Sequence, residues 1–101
     1  MERLSLLDHK LGWSFSLRTV VIAPGEVRPY DESEWRGALV VVERGEIELE
    51  SIHGSRRRFM RGAVLWLEGL PLRAIHNPGS ERALLVAVAR RVRRDRPRRD
   101  R

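Results

Sequence analysis

The sequence predicts a small all-β domain, either a sandwich or a barrel. Turn signals rich in glycine and proline recur at short intervals along most of the 101 residues. Elements separated by turns every ~8–12 residues are typical of sandwiches and barrels. The turn signals are Gly12, Pro24-Gly25, Pro29, Gly37, Gly45, Gly54-Ser55, Gly62, residues 69–71 and residues 77–80.

The segments between these turns have the composition of β-strands. Residues 13–22 begin with alternating polar and apolar side chains and end with β-branched ones. Residues 39–42 form a β-branched run that is too short for a helix. Residues 46–50 alternate strictly, which predicts one buried face and one solvent face, and Arg44-Gly45 predicts a hairpin turn between these two strands. Further strands are predicted over residues 56–60, 63–67 and 72–76.

Two segments are ambiguous. Residues 83–89 are apolar on every side, so periodicity cannot separate a buried strand from a helix. Alanine and leucine favour a helix, whereas the short length, the preceding Asn-Pro-Gly-Ser turn and the all-β context favour a strand, which we predict over residues 82–90. Residues 2–11 are compatible with a strand or a single helical turn.

The charge divides the chain into two parts. The formal net charge is +6, yet residues 1–89 carry twelve basic and twelve acidic side chains. Residues 90–101 hold eight arginines and two aspartates, which account for the whole excess. We therefore predict a neutral β-barrel domain over residues 1–89 and an Arg-rich tail over residues 90–101. The tail has almost no apolar content and contains Pro97, so it is expected to be disordered.

The arginines of the tail could neutralise phosphates and give a salt-dependent affinity for nucleic acid. No aromatic residue is interleaved, so such binding would be blind to base sequence. A solvated tail without a partner is the alternative, and runs of like charge favour it. The candidate arginines are Arg90, Arg91, Arg93, Arg94, Arg96, Arg98 and Arg99.

The remaining composition excludes several classes of protein. The chain has no cysteine, so disulfides, thiolate metal sites and cysteine nucleophiles are excluded. No apolar run approaches the ~20 residues of a membrane span, and the N-terminus lacks the basic start and apolar stretch of a secretory signal. We expect a soluble cytoplasmic protein that does not bind membranes.

The order of residues fits two spaced motifs. In the first, G-x5-H-x-H-x3,4-E-x6-G, Gly25 and Gly45 match the glycines, while Asp31, Ser33 and Ala38 stand at the His, His and Glu positions. The second motif is G-x5-P-x-G-x2-H-x3-N. Its matched positions are Gly62, Glu68, Leu70, Arg73 and Asn77, of which the first and last keep the motif residue.

These motifs belong to the cupins, and the chain resembles the small single-domain members of that family over residues 13–90. The resemblance implies a double-stranded β-helix, which is a short jelly-roll barrel. It also implies a metal in the barrel, held by the three histidines and the glutamate of the motifs. All four ligand positions have changed in this chain, so the resemblance predicts the fold but does not predict a bound metal.

The residues themselves also argue against a metal. Alanine offers no ligand atom, serine is a weak ligand, and Arg73 is a permanent cation. The three histidines do not replace them, because His53 falls in a predicted turn, His76 has the opposite strand parity from Arg73, and His9 precedes the barrel. We predict no bound metal and no cofactor.

Strand parity predicts what fills the barrel instead. Asp31, Ser33 and Trp35 would face the lumen together with Ala38, Val40 and Val42, and Arg73, Ile75 and Asn77 would face the same space. Trp66 or its neighbours Leu65 and Leu67 would add an apolar wall. An apolar pocket with few polar groups is the profile of a small-molecule site, and Arg73 could hold an anion. The candidate pocket residues are Tyr30, Asp31, Ser33, Trp35, Trp66, Arg73 and Asn77.

A closed core is the equally weighted alternative to that pocket. In it, Arg73 and Asp31 would form a buried pair in the space of the missing metal. Of the tryptophans, Trp66 is expected in the core, and an exposed Trp35 would mark a pocket rim or a partner surface.

The functional hypothesis is a metal-free barrel that binds a small ligand, of which an anion is one possibility, or a partner. We assign no catalytic residue. The first alternative is an enzyme of the isomerase, cyclase or epimerase type using Asp31, Tyr30 and Arg73. The second is a nucleic-acid-associated protein acting through the tail. A homodimer is expected because so short a domain gains core by pairing. The outward Leu39 and Val41 and the N-terminal Leu4, Leu6 and Leu7 are the candidate contacts.

Overall fold

Two antiparallel sheets enclose one apolar core in the computed structural model, which describes residues 14–91. Eight strands and one helical turn follow in chain order. They are β1 (Ser14–Ile22), β2 (Val27–Pro29), α1 (Glu32–Trp35), β3 (Ala38–Arg44), β4 (Glu46–Ser51), β5 (Arg56–Met60), β6 (Val64–Trp66), β7 (Leu72–His76) and β8 (Ala83–Arg91). The all-β prediction is confirmed.

The chain alternates between the two sheets. One sheet, called sheet A, has the order β1-β8-β3-β6, and the other, sheet B, has the order β2-β7-β4-β5. Only the β4–β5 hairpin keeps two consecutive strands in the same sheet within the described part of the chain. Neighbouring strands pair antiparallel throughout these residues.

The inner face of each sheet supplies the core. On β3, Ala38, Val40 and Val42 are buried, as the alternation predicted. Leu49 of β4 lies opposite Ile75 of β7, and both are buried. The core cluster consists of Val20, Ile22, Trp35, Ala38, Val40, Val42, Ile47, Leu49, Leu67, Ile75, Ala83, Leu85 and Ala87.

The turn between β3 and β4 needs its glycine, but the predicted hairpin is wrong, because β3 lies in sheet A and β4 in sheet B and the two strands do not pair. Gly45 has φ +76°, a backbone conformation that side chains rarely adopt. A Cβ atom there would lie 2.8 Å from the carbonyl oxygen of Arg82. Both the left-handed backbone and the close approach therefore require glycine.

The ambiguous segment of residues 82–90 is a strand, as predicted. β8 lies between β1 and β3, so both its edges are hydrogen-bonded. Ala83, Leu85 and Ala87 face the core, while the alternating residues face outward and are half-buried. An apolar outer face explains why the sequence showed no alternation. The strand continues through Arg90 and Arg91, past the predicted end of the domain.

Two short elements were missed. β2 has only three residues and ends in proline, and α1 is a single helical turn of four residues. Asp31 caps α1, because its side chain accepts a hydrogen bond from the Ser33 amide. The predictions for residues 2–11 and for the tail arginines beyond Arg91 lie outside the described residues. Within residues 14–91, no helix is long and apolar enough to cross a membrane.

Candidate ligand-binding sites

Trp35 fills the interior where the sequence predicted a pocket. Its side chain is fully buried, with 0% exposure, and belongs to the core. Trp66 is 51% exposed and lies opposite Leu39 in the register between β3 and β6. The expectation of Trp66 in the core is therefore wrong, because strand alternation turns its neighbours inward. Of these, Leu67 is fully buried and Leu65 packs against the core.

Asp31 and Ser33 do not face the lumen, and this prediction is corrected. Both are exposed on α1. The Asp31 carboxylate accepts hydrogen bonds from the Ser33 amide at 3.1 Å and from the Ser33 hydroxyl at 2.8 Å. The parity argument failed here because a helical turn, and not an extended strand, connects Pro29 to Ala38.

Arg73 also points away from the predicted pocket. The pairing of β4 with β7 steps from Glu50–Ala74 to Ser51–Leu72, so Arg73 is the extra residue of a β-bulge. Its side chain is 58% exposed. Its Nη2 donates to the Ile52 carbonyl oxygen at 2.6 Å, and its Nε lies 4.0 Å from Glu50. Neither a lumenal anion site nor a buried pair with Asp31 forms at this position.

Asn77 is inside the molecule, as predicted, but its polar atoms are used by the fold. It is 1% exposed. Its Nδ2 donates to the carbonyl oxygens of Ile22 at 2.9 Å and Glu81 at 2.8 Å, and its Oδ1 accepts from the Gly79 amide at 2.9 Å. The side chain therefore ties the end of β1 to the turn that precedes β8.

Tyr30 lies at the edge of the core and faces a carboxylate. Its hydroxyl donates to Glu32 at 3.0 Å, with the Leu67 carbonyl oxygen at 3.4 Å. Burial, followed by the Glu32 hydrogen bond and charge, raises the pKa of Tyr30 to about 12. The phenol therefore stays protonated at neutral pH and is not poised to act as a base.

An arginine–glutamate cluster closes the barrel on the β1–β2 side. Arg18 shares inward parity with Val20 and Ile22 of β1, and Arg28 lies opposite the buried Ile75. The Oε2 atom of Glu34 on α1 accepts a hydrogen bond from Arg18 Nη1 at 3.2 Å. The same oxygen also accepts a hydrogen bond from Arg28 Nη2. Its backbone carbonyl accepts a further bond from Arg18 at 2.6 Å.

Sequence reasoning missed this cluster, although one signal pointed to it. Arg18 has the same strand parity as the apolar side chains that follow it, which placed a cation on a buried face. In the structure, its guanidinium carbon lies 5.0 Å from the centre of the Trp35 ring. Such stacking is favourable for arginine over tryptophan.

Two buried nitrogen donors of this region lack a partner in the described residues. They are Arg28 Nε and Trp35 Nε1. A buried donor without an acceptor costs ~1–3 kcal/mol, so such groups in a native fold call for an explanation. Both belong to side chains that converge on α1.

An apolar cleft opens on the other side of the barrel, between the β4–β5 hairpin and residues 70–72. Its volume is about 210 Å³. The register sets Arg57 opposite Leu49 and Phe59 opposite Ile47, so the cleft lies on the inner side of sheet B. The cleft is lined by Leu49, Ser51, Ser55, Arg57, Phe59, Leu70, Pro71 and Leu72.

Arg57 is the cation of this cleft, and it differs from its two neighbours. Arg56 pairs with Glu48 at 2.9 Å and Arg58 lies 3.5 Å from Glu46. Arg57 is exposed, and its guanidinium carbon lies 5.9 Å from the Phe59 ring centre. Among residues 14–91, no carboxylate forms an ion pair with Arg57. Its charge is available to a ligand in the cleft.

The residues at the family's metal positions do not fit a metal. Asp31 caps a helix, Ala38 is a buried core residue, and Arg73 is a cation on the surface. The part of the chain that the structure describes contains no cluster of three or more His, Cys, Asp or Glu side chains that could hold an ion.

The histidines lie apart. His53 is exposed in the β4–β5 turn, and His76 Nε2 lies 2.8 Å from Glu50 on the outward side of sheet B. This hydrogen bond holds the pKa of Glu50 below its usual range. His9 lies outside the described residues.

The two facing sheets and their strand order define a double-stranded β-helix, and comparison with solved structures shows that this fold is the cupin barrel. It is similar to a Cupin 2 conserved barrel domain protein from Salinispora arenicola, with 29% identity, a TM-score of 0.57, and coverage of 73% of this chain and 60% of that one. The predicted resemblance to the small cupins is confirmed, and the protein is a cupin-type barrel.

Other similar structures have different roles. The Cupin_2 domain of an XRE family transcriptional regulator from Enterobacter cloacae is 24% identical, with a TM-score of 0.53 over 79% of this chain and 83% of that one. Ectoine synthase from P. lautus is 23% identical, with a TM-score of 0.54 over 82% of this chain and 57% of that one. At this identity, these likenesses carry the fold alone. Neither a family model nor a curated protein matches the sequence.

Proposed function

We propose that this protein is a metal-free binding barrel whose ligand is a small apolar carboxylate held in the cleft beside Arg57. The observation that carries the proposal is an apolar cleft on the inner side of the barrel whose one lining cation has no carboxylate partner among the described residues. An apolar wall with a few placed polar groups is the usual composition of a small-molecule site.

The size and chemistry of the cleft define the ligand class. At about 210 Å³ the cleft is smaller than the ~300–1,000 Å³ of a typical drug-sized site, so it suits a molecule built around one ring. Leu49, Phe59 and Leu72 offer an apolar surface for that ring. The Arg57 guanidinium can bind a carboxylate through two parallel hydrogen bonds. The hydroxyl oxygens of Ser51 and Ser55 lie 2.9 Å apart, and they add polar contacts on the same wall.

Replacing Arg57 tests this assignment. We expect Arg57→Ala to weaken the binding of benzoate or phenylacetate by roughly 5-fold, which corresponds to about 1 kcal/mol for a charge pair exposed to solvent. Isothermal titration calorimetry of both probes measures the change. Arg58→Ala is the matched control, because it removes the next cation of the same strand, which faces Glu46. Equal weakening in both variants would show a general effect of surface charge and would refute the site.

A binding role is favoured over the enzymatic alternative that used Tyr30, Asp31 and Arg73. Tyr30 is a protonated phenol at neutral pH, and burial beside Glu32 raises its pKa further, to about 12. Asp31 is engaged by Ser33, and the Arg73 side chain contacts Ile52 and Glu50. Each of these three side chains therefore contacts different partners, and the three do not form one reaction centre. The likeness to ectoine synthase supports the fold only.

We further propose that two copies of the chain pair through the outer face of sheet A. This face is apolar on all four strands. Leu39 of the inner strand β3 is 44% exposed, and the neighbouring Trp66 of the edge strand β6 is 51% exposed. A contiguous apolar face of this kind marks an interaction surface, and a two-fold pair would cover it with an identical face. The exposed or half-exposed side chains are Leu17, Val21, Leu39, Val41, Val64, Trp66, Leu84, Val86 and Val88.

A charge at the centre of this face tests the pairing. We expect Leu39→Glu to convert a dimer to a monomer, since pairing would bury two unpaired carboxylates. Light scattering coupled to size-exclusion chromatography measures the mass over a range of concentrations. Ile52→Glu is the control, because Ile52 is comparably exposed but lies in the turn between β4 and β5. A wild-type mass that stays monomeric at high concentration contradicts the dimer.

Two predictions rest on the sequence alone. Nucleic-acid binding through the arginines concerns residues that, beyond Arg91, lie outside the described part of the chain. The cytoplasmic location is the other. Both stay predictions.

A further inference from the structure

We infer that Arg18 and Arg28 form a second site, a carboxylate-binding site that the chain's own Glu34 occupies. This site is separate from the Arg57 cleft, since it lies where β1 and β2 meet α1. In it, the Glu34 carboxylate takes the place of a free carboxylate ligand. A free carboxylate binds by displacing the Glu34 side chain.

The first argument is an excess of positive charge and of donors. Two guanidinium groups, one from the inner face of each sheet, converge on a single carboxylate oxygen. The cluster therefore carries one more positive charge than negative charge. Each guanidinium has five N–H donors, and one carboxylate with one backbone carbonyl satisfies only part of them.

The second argument is the pair of buried donors that the fold leaves without acceptors. Arg28 Nε belongs to the same guanidinium that bonds Glu34, and Trp35 Nε1 belongs to a fully buried ring that Arg18 covers. Buried polar groups in folded proteins are nearly always hydrogen-bonded, so each exception calls for an explanation, and a group received from outside the fold is one. Both exceptions here surround the Arg18–Arg28 pair.

The third argument is that Glu34 can leave without unfolding the barrel. It lies on a helix of four residues, and its side chain is 22% exposed, so rotation of that side chain brings the carboxylate into solvent. The adjacent Trp35 is anchored in the core and stays in place. The core contacts of Trp35 therefore do not involve the Glu34 carboxylate.

The ligand class follows from the group that now occupies the site. Glu34 presents a planar carboxylate, which matches the fork of a guanidinium. A phosphate presents similar oxygens, so the experiment must separate the two. Acetate is the probe for a carboxylate, inorganic phosphate is the comparison, and sodium chloride at equal ionic strength controls for screening.

The test compares two single alanine variants of the same helix. Glu34→Ala frees the two arginines, whereas Glu32→Ala removes a carboxylate that contacts Tyr30. We expect Glu34→Ala to bind acetate about tenfold more tightly than the wild type or Glu32→Ala, because the tethered competitor is gone. The gain should disappear in the double variant Glu34→Ala, Arg28→Ala. Thermal unfolding with increasing acetate and calorimetry measure the binding.

Several results would overturn the inference. They are equal acetate affinity in all three proteins, a gain that survives removal of Arg28, and a gain for phosphate without one for acetate. If Glu34→Ala does not fold, tryptophan emission of the variant Trp13→Phe, Trp66→Phe reports on Trp35 with Glu34 in place. Acetate should then change the emission saturably and chloride should not, whereas no change with acetate refutes the site. Loss of benzoate binding in Arg57→Ala is independent of all these outcomes.

Discussion

Trp35→Ala is expected to destabilise the barrel by about 3–5 kcal/mol, the range measured for removing a large aromatic side chain from a core. Trp35 is the largest fully buried side chain of the described residues, and it also supports Arg18 through its ring. The free energy of unfolding of a native protein is only ~5–15 kcal/mol, so this substitution removes much of the total stability. Chemical denaturation followed by circular dichroism measures the change.

Two further variants separate the causes of this effect. Trp35→Phe keeps a ring in the core and removes the indole N–H that has no partner among the described residues. The free energy of unfolding should therefore fall clearly less in Trp35→Phe than in Trp35→Ala. Trp66→Ala, made in the Leu39→Glu background so that pairing of two chains does not contribute, removes an equal side chain from a position that is 51% exposed, and the stability lost should also be smaller. If Trp66→Ala costs as much as Trp35→Ala, the assignment of Trp35 to the closed interior is wrong.

Asn77→Ala is expected to cost about 2–4 kcal/mol. The substitution removes three hydrogen bonds, at 2.9 Å to Ile22, 2.8 Å to Glu81 and 2.9 Å from Gly79. Each bond contributes ~0.5–1.5 kcal/mol net, and a buried group left without its partner adds to the loss. Denaturant midpoints for the variant and the wild type give the difference.

The variant Asn77→Asp refines this test. It keeps the oxygen that accepts from Gly79 but replaces the donating Nδ2 with an oxygen that faces two carbonyl groups. We expect a loss at neutral pH at least as large as that of alanine. A loss below ~1 kcal/mol for either variant would instead favour the sequence-based hypothesis of a pocket residue that is free to bind a ligand.

The strands were predictable because their patterns are local. Strict alternation in residues 46–50 and the β-branched run of residues 39–42 determined which side chains face the core. The glycine at position 45 marked the turn between β3 and β4, but the local pattern did not show that these two strands belong to different sheets. For residues 83–89 the hydrophobic periodicity did not distinguish a strand from a helix. The short length and the preceding turn predicted a strand, which is correct.

The errors have two physical causes. A single helical turn at Glu32–Trp35 interrupted the strand parity, so Asp31 and Ser33 lie on the surface, while Trp35 faces inward as predicted and fills the interior. A β-bulge at Arg73 turned its side chain outward. Neither a helical turn of four residues nor a bulge leaves a clear pattern in the sequence.

The candidate sites depend on contacts between strands that are distant in the chain. The cleft combines Leu49 and Phe59 with residues 70–72, and the arginine cluster joins β1, β2 and α1. The sequence shows three consecutive arginines in β5 but not that the outer two face glutamates of β4. Only the register of the β4–β5 hairpin distinguishes Arg57 from Arg56 and Arg58.

The most direct test of the proposed function is amide chemical-shift mapping of the metal-stripped wild-type protein during a titration with benzoate. The ligand cleft predicts saturable shifts at Leu49, Arg57, Phe59 and Leu72 without added metal. Shifts that appear only after a divalent metal is added, or that leave these four residues unchanged, would contradict a metal-free carboxylate site in the barrel.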